Sequence, residues 1–178
     1  MGEKRTRWIV MGALALVLLA LILWEAGPNW LRRSVDEPVE QEVELTLYFT
    51  NSDATGLAPE KRTVIRKDQS LPELVVNELI KGPTEPGLGR TIPEGTKLLS
   101  VEVRDGIAYT DFSAEMQTNH WGGSTGETMT LFSLANSLSE LEGVRGFFLL
   151  IEGKPVESLA GHWTTDVPFE RDESKIQP

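Results

Sequence analysis

At 178 residues the chain holds about one domain's worth of material. Its 40% hydrophobic and 25% charged composition excludes a disordered polyelectrolyte, a collagen-like rod and a multi-span membrane protein. With no cysteine there is no disulfide, thiol nucleophile, thiolate metal site or lipidated cysteine, and a formal charge of −10 argues against sequence-independent nucleic-acid binding.

The charge is uneven, +2 over residues 1–24 and −12 over the rest. Residues 1–7 form a short basic tail. From Trp8 to Trp24 the chain reads WIVMGALALVLLALILW, seventeen residues without a charged or polar side chain other than the two indoles. In a helix that run approaches the hydrocarbon thickness of a bilayer, and Trp8 and Trp24 bracket it where indole rings favour the interface. The basic residues before it predict a cytoplasmic N-terminus and place the following domain outside. A cleavable signal has a similar layout, but Trp24-Glu25-Ala26 is a poor small-residue cleavage pattern, so an uncleaved single-pass anchor is expected. Residues 25–42, with Pro28, Pro38 and no hydrophobic period, read as a linker. Trp30, Arg32 and Arg33 are a weak signal for headgroup contact.

From Val43 the pattern changes. Val43, Leu45, Leu47 and Phe49 alternate with polar positions, the period of a half-buried strand. A polar turn at Asn51-Ser52-Asp53 leads to a shorter strand expected over Lys61–Lys67. Ser70-Leu71-Pro72-Glu73 is a capping box, and the helix behind it should run to Lys81 and stop at Gly82-Pro83. Residues 84–95 carry too many glycines and prolines for a regular element. Two alternating segments, 99–103 and 107–112, flank Asp105-Gly106 and predict a hairpin. Ser124-Thr125-Gly126-Glu127 reads as a second capping box, followed by a helix with Leu131, Leu134, Ala135, Leu138 and Leu141 on one face and Ser133, Asn136, Ser137 and Glu140 on the other. Glu142-Gly143 should end it, and VRGFFLLI, 144–151, reads as a strand buried on both faces. The expected fold is α+β, a two-layer domain with two helices on one face of a small mixed sheet, spanning residues 43–172 and closed by a polar tail at 173–178.

The order and spacing of several short motifs resemble a GerMN domain. They are Leu47-Tyr48-Phe49; Glu78-Leu79-Ile80-Lys81-Gly82-Pro83; Ile92-Pro93-Glu94-Gly95-Thr96; Val103-Arg104-Asp105-Gly106-Ile107-Ala108; Asp111-Phe112-Ser113; Gly122-Gly123-Ser124 with Glu127; and Gly161-His162. The resemblance covers Val43 to Arg171. It implies an extracytoplasmic, membrane-tethered, non-enzymatic module of sporulation or spore germination, similar in fold to ring-building domains of sporulation and secretion assemblies. The best-known members are lipoproteins with two tandem copies; this chain has no cysteine and shows no internal repeat.

Each motif also has a reading without chemistry. Gly122-Gly123-Ser124 at a helix start suits an anion, but Glu127 in the same turn should fill that positive end, and no Lys or Arg follows as a phosphate loop requires. Asp111, Ser113 and His120 come nearest to a nucleophile set, yet no glycine elbow exposes the serine and His120 sits in a turn-like Thr-Asn-His-Trp-Gly loop. His162-Trp163 reads as a cap over the core edge. With only His120 and His162 in distant loops, metal binding is not expected. No catalytic, cofactor-binding or metal-binding residue is therefore assigned. Two functions stay open: a module that assembles with protein partners or itself at the outer membrane face, through strand edges such as Val43–Thr50, and a binder of a cell-wall or small-molecule ligand through the loops at 84–95 and 119–126.

Overall fold

The computed structural model describes residues 40–177. Strands β1 (Gln41–Thr50) and β2 (Leu57–Arg66) pair antiparallel along their whole length. Asn51 closes the turn between them, its Oδ1 accepting the Thr55 N–H at 2.9 Å. Strand β2 begins four residues before the expected Lys61 and runs through Pro59. Pro59 lies opposite Tyr48, whose N–H is bonded away from β2 to Ser137 Oγ. At such a non-hydrogen-bonded pair the missing proline N–H costs no ladder bond.

Helix α1 (Leu71–Lys81) forms as expected, with both arms of the Ser70/Glu73 capping box made and Gly82 at φ 88° behind it. Strands β3 (Leu98–Arg104) and β4 (Ile107–Phe112) form the Asp105-Gly106 hairpin. Both turn residues have positive φ, 50° and 77°, the geometry that matches strand twist. A single turn, α2 (Glu115–Thr118), precedes helix α3 (Ser124–Leu138). Strand β5 (Gly146–Ile151) then runs parallel to β4, and two-residue strands β6 (Lys154–Pro155) and β7 (Phe169–Glu170) pair antiparallel with β5.

The fold is α+β with a mixed sheet, but the strands do not join into one layer. The β1–β2 hairpin is a sheet of its own beside the five-stranded sheet β3-β4-β5-β6, with β7 also on β5. Helix α3 touches β1 as well as β5 and β7, and from Met129 to Leu138 every residue is buried. Of the expected polar face, Ser133, Asn136 and Ser137 are therefore inside, while Glu140 lies past the helix end and is exposed. For the two serines Tyr48 is why: Ser137 Oγ accepts its N–H at 2.9 Å, and Ser133 Oγ donates to its carbonyl at 2.6 Å. Two helix hydroxyls replace the neighbouring strand that this stretch of β1 lacks, which satisfies backbone groups that would be costly to bury unpaired.

Other expectations change in smaller ways. Strand β5 alternates, with Phe147, Leu149 and Ile151 buried and Phe148 and Leu150 half-buried. Helix α3 covers one face only, and on the other Phe148 packs at 5.4 Å from Tyr109. Helix α3 ends at Leu138 rather than at Glu142-Gly143, and Leu141 packs on the core from the turn beyond. The Ser124 capping box does not form, because Ser124 is already helical and Gly123 precedes it without a side-chain cap. Strand β1 starts inside the expected linker, and the expected polar tail is integrated: Glu173–Lys175 make a 3-10 turn and Ile176 bridges to Leu57. The expected anchor, 8–24, lies outside the described residues. Among the described residues no helix is long and apolar enough to cross a membrane.

Candidate functional site

Three polar clusters organise the surface, and in each a short motif owes its residues to the folding of a loop. The first lies where α1 ends. Glu60 on β2 is fully buried, and its carboxylate accepts the N–H groups of Thr84 and Glu85 at 2.8 and 3.0 Å, the Thr84 hydroxyl at 2.8 Å and Arg62 Nε at 2.9 Å. Arg62 also reaches Glu78 Oε2 at 2.9 Å and the Gly82 carbonyl at 2.9 Å. Lys81 holds the other Glu78 oxygen at 2.5 Å. Burial pushes both carboxyls up, but the hydrogen bonds outweigh it and hold Glu60 and Glu78 below the usual range. The Glu78–Pro83 motif thus ends a helix and also fastens it to β2.

The second cluster is built on Glu127. Instead of closing the start of its own helix, the side chain is fully buried under the loop 158–163. Oε1 accepts Leu159 N at 3.1 Å, Ala160 N at 2.9 Å and the Ser158 hydroxyl at 3.0 Å, and Oε2 accepts His162 N at 2.8 Å. The Gly122-Gly123-Ser124 and Gly161-His162 motifs, far apart in sequence, are therefore neighbours through one carboxylate. An anion is present at this end of the molecule, and the protein supplies it.

The residues nearest to a nucleophile set are each engaged elsewhere. Asp111 Oδ1 accepts Gly153 N at 2.8 Å, and Ser113 Oγ accepts Lys97 N at 3.0 Å. His120 Nδ1 accepts Gly122 N at 2.9 Å, and its Nε2 lies 3.1 Å from Thr130 Oγ1. Burial holds the His120 pKa below the ordinary histidine value, partly offset by the Glu127 charge. No hydrogen bond joins Asp111, Ser113 and His120 among the described residues. His162, half exposed, stands 3.3 Å from Glu127 Oε2, and Trp163 caps the core edge-on to Phe132 at 5.4 Å.

The third cluster joins the two breaker-rich loops. Asn119 Nδ2 donates to the Glu94 carbonyl at 2.9 Å. Arg90, Glu94, Asn119 and Trp121 line a shallow cleft of about 460 Å³ between the loops. Sequence reasoning marked both loops but missed Trp121. The signal was present: a tryptophan ahead of two glycines, with a third glycine, Gly126, in the first turn of a helix.

Strand edges complete the picture. The expected open edge, Val43–Thr50, is closed at its far end, where Ser133 and Ser137 take Tyr48 and Gly89 N donates to the Thr50 carbonyl at 2.8 Å. Strand β3, by contrast, is the terminal strand of its sheet. In a two-residue hairpin Arg104 and Ile107 form a hydrogen-bonded pair, so the N–H and C=O of Val101 and Val103 point away from β4. Among the described residues these groups have no backbone partner, and the side chain of Val103 is 41% exposed and that of Leu99 48%.

No curated protein matches the chain. Among solved structures it is similar to the tandem GerMN domains of the sporulation protein GerM from Bacillus subtilis, with TM-score 0.62 and 18% identity over 73% of this chain and 46% of that one. It thus spans about half the length of that protein's structure. The first GerMN domain of the same protein gives TM-score 0.57 at 18% identity over 74% of this chain and 98% of that one. A putative lipoprotein from Clostridium perfringens gives TM-score 0.52 at 25% identity, covering 77% and 93%. The family model Germane, described as sporulation and spore germination, matches residues 46–157, the span that holds most of the β1–β2 hairpin, α1, the β3–β4 turn and Glu127 itself. The chain belongs to this GerMN family of sporulation and spore germination.

Proposed function

We propose that the domain is a non-enzymatic interaction module, held at the outer face of the cytoplasmic membrane by the 8–24 segment, that adds a partner's strand to the open edge of β3. The observation that carries this reading is that edge: a seven-residue terminal strand with outward Val101 and Val103 amides and half-exposed Leu99 and Val103. An extended partner segment gains main-chain hydrogen bonds there and buries the two apolar side chains. Family membership supports a place in a sporulation, germination or cell-envelope assembly. Confinement to a membrane plane raises local concentration, so a weak edge contact suffices for assembly.

The test is a photo-crosslinking residue at position 99 of the full-length protein in living cells. Crosslinks to one protein partner or to a second copy are expected, and Val103→Lys, which places a charge on the edge, should abolish them. Equal crosslinking with and without Val103→Lys, or no protein crosslinks at all, would overturn the reading. Protease added to protoplasts should remove the domain and leave a membrane-bound stub; protection of the domain would overturn its placement outside.

A further inference from the structure

Trp121 is an expensive residue to place where it is. Trp121 is 51% exposed, yet its ring is fixed on two sides. It stacks on His120, ring centres 4.9 Å apart and planes 24° from parallel. His120 is itself held by Gly122 N and Thr130 Oγ1. Beneath the indole edge lies Gly126, where any side chain would stand 2.4 Å from Trp121 Nε1. Glycine inside a helix costs about 1 kcal/mol against alanine, and here its one steric consequence is room for a solvent-facing ring. The geometry is that of a preformed flat platform, which a ligand need not order on binding.

The surrounding groups narrow what the platform accepts. Arg90 has spent its terminal nitrogens on α1, Nη1 donating to the Lys81 carbonyl at 2.8 Å and Nη2 to the Ile80 carbonyl at 2.6 Å. Glu94, its side chain 85% exposed, stands 4.0 Å from Arg90 Nε and keeps acceptors open to solvent, and the Asn119 amide donates through Nδ2 to the Glu94 carbonyl while its Oδ1 accepts the Thr118 hydroxyl at 3.4 Å. The cation lining the cleft, the Arg90 guanidinium, is turned to the α1 carbonyls and faces Glu94 through Nε, so the pair carries no net charge to draw a phosphate or carboxylate to a chain already at −10. One aromatic wall is too little to hold an apolar peptide side chain against water. What remains is a neutral ligand with one face of C–H groups and a rim of hydroxyls. A pyranose with equatorial substituents fits that description: axial C–H groups meet the electron-rich indole face, and edge hydroxyls meet Glu94 and Asn119. We infer that the Trp121 cleft is a subsite for a neutral β-linked oligosaccharide, with Trp121 as the stacking residue and Glu94 and Asn119 as hydroxyl partners. The cleft volume, about 460 Å³, is within the ordinary range of small-molecule sites.

The inference is independent of the β3 edge, since Val101 and Val103 are not among the residues that line the cleft. Full-length protein in nanodiscs is titrated with tetra-N-acetylchitotetraose and, separately, with cellotetraose, following heat. Saturable millimolar or tighter binding of at least one sugar is expected. Trp121→Ala should weaken it at least tenfold and Trp121→Phe less, while Trp163→Phe should leave it unchanged. Glu94→Ala, at a side chain too exposed to affect folding, should weaken it severalfold. Binding of the acetylated sugar alone would point to an amino-sugar glycan as the source, and binding of both to polysaccharide in general; either supports the site. No saturable binding of either sugar, or binding that survives both Trp121→Ala and Glu94→Ala, would overturn it.

Discussion

Glu127 shows how far a single side chain can stand from its local reading. Four residues of helix start, Ser-Thr-Gly-Glu, fit a capping box, but the carboxylate serves the loop 158–163 instead. The choice follows from what each arrangement satisfies. A capping glutamate meets one N–H at an exposed helix end, whereas this one meets the N–H groups of Leu159, Ala160 and His162 in a turn where they lack other acceptors. Glu127→Gln keeps the shape but turns a donor toward donors, so a loss of roughly 2–4 kcal/mol is expected in chemical denaturation at pH 7. Burial pushes the Glu127 pKa up, yet the Ala160 and His162 amides and the Ser158 hydroxyl hold it below the ordinary value near 4.5. A carboxyl whose folded pKa is depressed contributes fully above the unfolded value and loses that contribution as pH falls through the folded one. The gap between wild type and Glu127→Gln should therefore be constant from neutral pH down to about 5 and narrow below the ordinary glutamate value. A gap unchanged down to pH 3 would mean that the charge contributes nothing.

At the scale of elements, α1, the β3–β4 hairpin and the strand alternation of β1 were legible because each rests on local chemistry: a cap, a positive-φ dipeptide, a period of two. Helix α3 was half legible. Its apolar stripe announced the helix, but Ser133, Asn136 and Ser137 read as a wet face because the partners that bind them are distant in sequence, Tyr48 of β1 for the two serines, over eighty residues away, and Asp172 for Asn136. A cue was available in that residues 128–139 carry no charge at all, unusual for a helix with one face in water. The same substitution at two nearby serines separates the readings. Ser137→Ala leaves the Tyr48 N–H buried without an acceptor and should cost about 1–3 kcal/mol. Ser139 Oγ is buried and has no hydrogen-bond partner among the described residues, so Ser139→Ala breaks no hydrogen bond and should leave stability unchanged or raise it. Equal costs at both positions would show that helix propensity, not the strand edge, sets the effect.

For the molecule as a whole, two sheets and a central helix need a tie, and the C-terminal segment is that tie. Strand β7 pairs with β5. Arg171 then reaches Glu140 at 2.6 Å and the Tyr48 hydroxyl at 3.0 Å, and Asp172 and Asn136 exchange hydrogen bonds between backbone and amide. Lys175 lies over the Phe132 ring at 5.5 Å, and Gln177 N donates to the Leu57 carbonyl at 2.7 Å. Within nine residues the chain thus touches the five-stranded sheet, α3 and the β1–β2 hairpin. The polar composition of 173–178 hid this from sequence reading, because a strap held by backbone hydrogen bonds leaves no hydrophobic period. A chain beginning at Glu40 and ending at Pro178 should unfold in one cooperative transition, since the same core joins all three parts. Ending it instead at Asp172 removes the Leu57 hydrogen bond, the half-buried Ile176 and the Lys175 contact. With about 1 kcal/mol for the hydrogen bond and 1–2 for the isoleucine, a loss of about 2–4 kcal/mol is expected. The lost contacts bear on the Leu57 end of the hairpin, so amide exchange in β2 near Leu57 should accelerate more than exchange in β4 or β5. Uniform acceleration across all strands would show that the segment stabilises the fold as a whole and does not join its parts.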